Sequence, residues 1–198
     1  MSDFVYDFHF GDERDYRNDP FDGRLEPVEM SDCNLDNLRR VYREVRDRGG
    51  AILEIGLYRN GDRSSTRVFI DEKLDSSIYI GIDHDDKSFL DNHGKNVWTF
   101  RSNSSYFKEV VIMSRGLGVV GFDFIFIDGY HSVNQVYDDW RYVQLLNEGG
   151  IVGMHDTTSH PGPSRLVESI DRSKWGVERL CMSDYGISFF RRLNGGFK

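Results

Sequence analysis

The chain has 198 residues, 38% hydrophobic and 29% charged, with a formal net charge of −8. That length and balance describe one globular domain with a full core rather than a disordered chain. The acidic excess argues against sequence-independent nucleic-acid binding, which depends on phosphate neutralisation, and no apolar run reaches the length of a membrane span.

Residues 1–30 are rich in Asp, Arg, Phe and Tyr and show no steady period. They read as an N-terminal arm or lid, with a frayed tail as the alternative. Phe4, Tyr6, Phe8 and Phe10 alternate, so an extended segment would place them on one face. The start lacks a basic region followed by an apolar one, so no secretory signal is expected. Residues 31–198 read as a single domain. Ser31 or Asp32 caps a helix over roughly 34–48, where Leu35, Leu38, Val41, Tyr42 and Val45 recur at helical spacing. Gly49-Gly50 ends it.

Strands and helices then alternate. AILEI (51–55), IYIGI (78–82), VWTF (97–100), DFIFI (123–127) and IVGM (151–154) read as strands. Helices are expected at 64–73, 105–115 and 133–147, and near 163–172. The third carries Val133, Val136, Tyr137, Trp140 and Val143 on one stripe. VERLCM and ISFFRRL flank the turn SDYG as a hairpin. The alternation implies a mostly parallel sheet with helices on both faces, its last strand antiparallel. Cys33 and Cys181 share no metal-type spacing and read as two reduced thiols of a cytoplasmic protein.

The chemistry lies where apolar runs stop. FIFI ends at Asp128 with His131 three residues on, and GGIVGM ends at His155 and Asp156. Ligands of open α/β sheets sit outside such strand ends. If the two strands are neighbours, Asp128 and Asp156 repel unless a cation or proton joins them. Oxygen ligands favour Mg²⁺, Ca²⁺ or Mn²⁺. The plainer alternative has one carboxylate on loop amides and the other solvated. His131 is a candidate base, since imidazole titrates near neutrality; a surface histidine is the alternative. His155 is open between ligand, supporting partner and packing residue. His9, His84, His93 and His160 are expected to face solvent.

The first strand–helix turn, Glu54-Ile55-Gly56 through Gly61, suits a cofactor loop, although a glycine pair is weak evidence. It is neither a G-x-G-x-x-G fingerprint nor a P-loop. Asp83 ends the second strand, where an acid can accept hydrogen bonds from a ribose diol. Asp85 and Asp86 follow, so a solvated acidic loop is the alternative. Ser102, Asn103 and Ser104 follow the third strand and suit either an adenine edge or a helix cap.

Ile127-Asp128-Gly129-Tyr130-His131, then Val136 and Asp139, then Gly149-Gly150 and His155-Asp156 resemble the class I S-adenosylmethionine-dependent methyltransferases over roughly residues 34–192. The nearest likeness is to the small-molecule branch containing macrocin-type and macrolide-sugar O-methyltransferases. The resemblance implies a Rossmann-like fold with a seven-stranded sheet. It implies Glu54 in the methyl-donor loop that binds the cofactor, Gly56 and Gly61 at the methionine moiety, Asp83 on the ribose, and Ser102, Asn103 and Ser104 near the adenine. It places Asp128 beside the cofactor and, with Asp156 and His155, at a Mg²⁺ or other divalent-cation site, and His131 as the base. Relatives carry an acid or amide at the position of His155 or Thr157, and this chain has neither. No NPPY-type tetrad is present, which disfavours N-methylation of DNA bases. The expected partner is a small-molecule acceptor, a sugar or glycosylated metabolite. No nucleic acid or membrane is expected, and self-association into a homo-oligomer is left open. Two other readings keep the fold: a non-catalytic cofactor-binding module, and a metal-dependent hydroxylase or hydrolase.

Overall fold

A computed structural model describes residues 30–57 and 63–193 of the chain. The arm expected over 1–30 lies outside the described residues except for Met30, which is buried in the core. Helix α1 runs Asp32–Arg46, and the Ser31 side chain accepts from the Asn34 amide as its cap. The chain continues through β1 (Ile52–Ile55), α2 (Ser65–Glu72), β2 (Tyr79–Asp83) and β3 (Val97–Arg101). Then come α3 (Phe107–Gly116), β4 (Phe122–Ile127), α4 (Val133–Trp140), β5 (Leu146–His155) and α5 (Pro161–Ser169). The hairpin β6 (Trp175–Leu180) and β7 (Ile187–Arg192) closes it.

The strands form one seven-stranded sheet in the order β3-β2-β1-β4-β5-β7-β6. β1 to β5 pair in parallel, while β7 runs antiparallel to both neighbours. Successive side chains of a strand point to opposite faces, so each inner strand feeds two cores. Leu53, Ile55, Ile80, Ile125 and Val152 pack on one face with Val136 and Trp140 of α4 and Leu166 of α5. Ile52, Tyr79, Phe124, Phe126 and Phe189 pack on the other with Leu38, Val41 and Tyr42 of α1 and Phe69 of α2. Both faces are therefore covered, which is why the central strands read as unbroken apolar runs.

Four expectations need correction. The helix expected over 133–147 stops at Trp140; residues Arg141–Leu145 tighten into a 3₁₀ turn. The stripe continued past Trp140, but Leu146 is needed opposite Phe122 in the sheet, so β5 begins earlier than 151. Ser102 to Ser104 do not cap α3, whose capping residue is Tyr106; instead Asn103 Oδ1 accepts from the Ser105 amide at 2.9 Å. Cys33 and Cys181 are not reduced thiols: they form a disulfide across 148 positions, with Cα atoms 6.0 Å apart. The first turn of α1 and the β6–β7 turn meet at that point, and the separation suits a disulfide. The bond removes the reduced-thiol argument for a cytoplasmic location. Among the described residues no helix is long and apolar enough to cross a membrane.

Candidate functional site

Because β2, β1, β4 and β5 are neighbours and parallel, their carboxyl ends lie side by side. Asp83, Gly56, Asp128 and His155 are thereby brought to one edge of the sheet. The Gly56 amide donates to the Ile82 carbonyl at 2.9 Å, and the Asp128 amide to the Ile55 carbonyl at 2.8 Å. Gly56 is in the left-handed region, and an added Cβ would lie 2.1 Å from the Asp128 carbonyl oxygen. Its lack of a side chain thus serves the join between β1 and β4 directly.

The expected acids and histidines converge. His155 Nδ1 lies 3.2 Å from Asp128 Oδ1 and 3.3 Å from Asp156 Oδ1. His131 Nε2 lies 2.8 Å from Asp156 Oδ2. Asp156 itself has φ +58°, a strained value for a non-glycine residue. That backbone turn directs its two oxygens toward different imidazoles. Thr157, the other candidate for a third metal position, is turned away: its Oγ1 accepts from Ser188 at 2.9 Å. His155 is therefore the third group facing the two acids.

Behind His155, Asn34 Nδ2 lies 3.0 Å from Nε2. With that amide donating, the ring hydrogen sits on Nδ1 and is shared by the two carboxylates. Burial alone would lower the His155 pKa, but Asp156 and Asp128 outweigh it and hold the value well above the ordinary one. A fully protonated ring needs the Asn34 amide turned about, which would bring its buried, unpartnered Oδ1 onto Nε2. For Asp156, burial raises the pKa, but His155 and His131 hold it well below the ordinary carboxylate value. The imidazole between the acids thus does part of what a cation does.

The ligand atoms of Asp128, His155 and Asp156 lie within 4.8 Å of one another. Ligands bound to one divalent ion at about 2.1 Å are roughly 3–4 Å apart, so modest rotations would suit an ion. Two carboxylates with open positions fit Mg²⁺, which keeps waters or substrate oxygens; the imidazole extends the range toward Mn²⁺ and later metals.

The residues expected to meet a cofactor are placed as follows. Asp83 Oδ2 accepts from the Leu57 amide and Oδ1 from the Asp85 amide, both at 2.8 Å. Each oxygen keeps a further lone pair for a ligand. Glu54 is fully buried, and its two oxygens accept from the Ser65 and Tyr79 hydroxyls. Burial pushes its pKa up to about 8, against the opposing effect of those hydroxyls. Ser104 Oγ accepts from Gln135 at 2.8 Å, which ties it to α4; Ser102 is half-buried like Ser104, and Asn103 is exposed. Gly61 lies outside the described residues.

Three participants were not singled out as site residues from sequence. His160, expected to face solvent, is buried, with its ring stacked on His131 at a centroid distance of 4.1 Å. Pro161 begins α5 and tucks His160 inward. Asn34 reaches His155 across 121 positions, for which the sequence carries no local signal. Asp139, quoted only as part of the motif, is fully buried and accepts from Gln135 at 2.9 Å. Burial raises its pKa to about 7, despite its hydrogen bonds from Ser104 and Gln135. His84, by contrast, is exposed as expected, at 85%.

The sheet order, the antiparallel β7 and the helices on both faces define the Rossmann-like methyltransferase fold. No protein-family model matches the chain, and no curated protein matches it. Solved structures do. The MycE methyltransferase of the mycinamycin biosynthetic pathway, in complex with Mg, SAH and mycinamycin VI, matches with a TM-score of 0.59 and 19% identity. The match covers 82% of this chain and 51% of MycE, so the chain spans about half the length of that protein. An O-methyltransferase from Bacillus cereus in complex with SAH matches with a TM-score of 0.57 and 18% identity, over 85% of this chain and 84% of that one. A methyltransferase from Geobacter sulfurreducens gives 0.52 and 12%, over 84% and 82%. These likenesses establish the fold.

Proposed function

We propose that the protein is an S-adenosylmethionine-dependent O-methyltransferase, assisted by a divalent cation, acting on a hydroxyl of a small molecule such as a sugar or glycosylated metabolite. One observation carries the reading: Asp83 and the Gly56 turn adjoin the Asp128–His131–His155–Asp156 cluster along one edge of the sheet. A donor on the first pair would present its methyl group toward the second. The Mg²⁺ and SAH in MycE, and the SAH in the Bacillus cereus enzyme, support this assignment by analogy.

The donor's sulfonium supplies an electrophilic methyl group, and a bound cation supplies charge that favours the ionised form of an acceptor hydroxyl. The protein's own work is alignment and proton removal. Asp83 accepts from the ribose hydroxyls, while Ser102 and Asn103 border the adenine. Asp128 and Asp156 would hold the cation, with His155 as third ligand through Nδ1 once its ring hydrogen lies on Nε2 and is accepted by Oδ1 of a turned Asn34 amide. His131 would take the acceptor's proton at Nδ1, while Asp156, 2.8 Å from Nε2, holds the ring hydrogen there and stabilises the resulting imidazolium. Asp156 thereby couples the cation to the base.

The test is transfer of labelled methyl from S-adenosylmethionine to a panel of hydroxylated glycosides, with and without chelator. The reading expects a methyl ether product, lost with chelator and restored by Mg²⁺ or Mn²⁺. Metal-dependent turnover of the same compounds without donor would instead favour a hydrolase or hydroxylase.

A further inference from the structure

The geometry points to a second cation site, nitrogen-rich and made of His131, Asp156 and His160, that takes a borderline transition ion such as Zn²⁺. It begins with local structure. His131 lies in the loop between β4 and α4, and His160 is the residue capping α5. The Gly162 amide donates to the His131 carbonyl at 3.0 Å. A Cβ at position 162 would lie only 2.3 Å from that carbonyl oxygen and 2.8 Å from that of Ser132. Only a glycine lets the first turn of α5 lie directly on this loop. The two imidazoles consequently stack, at 4.1 Å between centroids and 29° between planes.

Both rings turn Nε2 toward the same carboxylate oxygen. Asp156 Oδ2 is 2.8 Å from His131 Nε2 and 3.9 Å from His160 Nε2. The second distance exceeds a hydrogen bond, but both fall near the spacing of ligands around one ion with bonds of about 2.0–2.2 Å. The three ligand atoms lie within 4.8 Å of one another. The side chains are 13%, 9% and 11% exposed, so the site is shielded but not sealed. Two imidazoles and one carboxylate, with positions left open, form a donor set for Zn²⁺, Fe²⁺ or Co²⁺. Mg²⁺ prefers oxygen ligands and is a poor occupant. Asp156 divides its oxygens, Oδ1 toward His155 and Oδ2 toward this pair, so the two sites are adjacent but chemically distinct.

One consequence rests on the proposed methyl transfer. An ion on His131 Nε2 forces the ring hydrogen onto Nδ1, the nitrogen that would take the acceptor's proton, so Zn²⁺ would inhibit where Mg²⁺ activates.

The binding test needs neither donor nor acceptor. The full-length protein is titrated with Zn²⁺ by calorimetry and with Co²⁺ by visible absorption, in excess Mg²⁺. We expect one tight equivalent that Mg²⁺ does not displace. His160→Gln and His131→Gln should each weaken Zn²⁺ binding at least tenfold with circular dichroism unchanged, while His155→Gln should weaken it less than threefold. Wild-type Zn²⁺ affinity in a folded His160→Gln variant would overturn the site, as would the absence of stoichiometric binding by the wild type. A loss in His155→Gln equal to that in His160→Gln would also overturn it, since the ion would then belong to the Asp128–His155 side. Failure of methyl transfer would leave this titration unaffected.

Discussion

Glu54 offers a quantitative test of how the first strand end is built. Its carboxyl is fully buried between Ser65 and Tyr79, and burial raises its pKa from 4.5 to about 8. The folded protein therefore holds a proton there that the unfolded chain releases above pH 4.5. A raised acid contributes fully below the unfolded value, and its contribution falls as pH rises until the folded value is passed. One pKa unit is about 1.4 kcal/mol, so this group should remove about 3 kcal/mol of stability between about pH 6 and pH 9. Glu54→Gln keeps the shape but cannot ionise. Urea unfolding of both proteins across that range should show curves that diverge, the variant becoming relatively more stable toward pH 9 by about 2–3 kcal/mol. The comparison cancels titrations the two proteins share. Curves that stay parallel would mean that Glu54 is ionised in the folded protein, and the buried neutral carboxyl would be wrong. Because both of its oxygens are already engaged, Glu54→Gln should also keep S-adenosylhomocysteine affinity within about threefold, or roughly 0.7 kcal/mol.

Four further outcomes follow from the same geometry. His131→Ala should cut methyl-transfer turnover by about 10²–10⁴ while leaving donor binding intact, read by steady-state kinetics beside calorimetry. Gly162→Ala places a Cβ against the His131 carbonyl, so it should lower thermal stability by about 1–3 kcal/mol and reduce turnover, checked by calorimetric melting and kinetics. Reducing the Cys33–Cys181 bond releases a crosslink across 148 positions and should cost about 3–5 kcal/mol in urea unfolding; two thiols titrated in the denatured, unreduced protein would contradict the bond. Asp156→Asn should weaken Mg²⁺ or Mn²⁺ binding at least tenfold, about 1.4 kcal/mol, without unfolding the protein, read by metal titration and circular dichroism.

The central strands were legible because they are buried on both faces, which leaves DFIFI and IVGM as uninterrupted apolar runs bounded by polar residues. Asp128, His155 and Asp156 were legible for the same reason: they are where those runs stop. The end of α4 was not, since Val143 continues the helical stripe and only pairing with β4 draws Leu146 into the sheet. Neither Asn34 nor the disulfide leaves a local pattern, because each joins α1 to segments more than a hundred residues away. His160 was misread because a lone loop histidine defaults to solvent, whereas here the Pro-Gly-Pro that follows opens a helix whose glycine packs on the His131 loop.

The central claim is that this sheet edge takes the methyl donor, and calorimetric titration with S-adenosylhomocysteine tests it most directly. The account predicts one site per chain, weakened at least tenfold, about 1.4 kcal/mol, by Asp83→Ala, which removes both carboxylate oxygens from the ribose position. Absence of binding by the folded wild-type protein would contradict it.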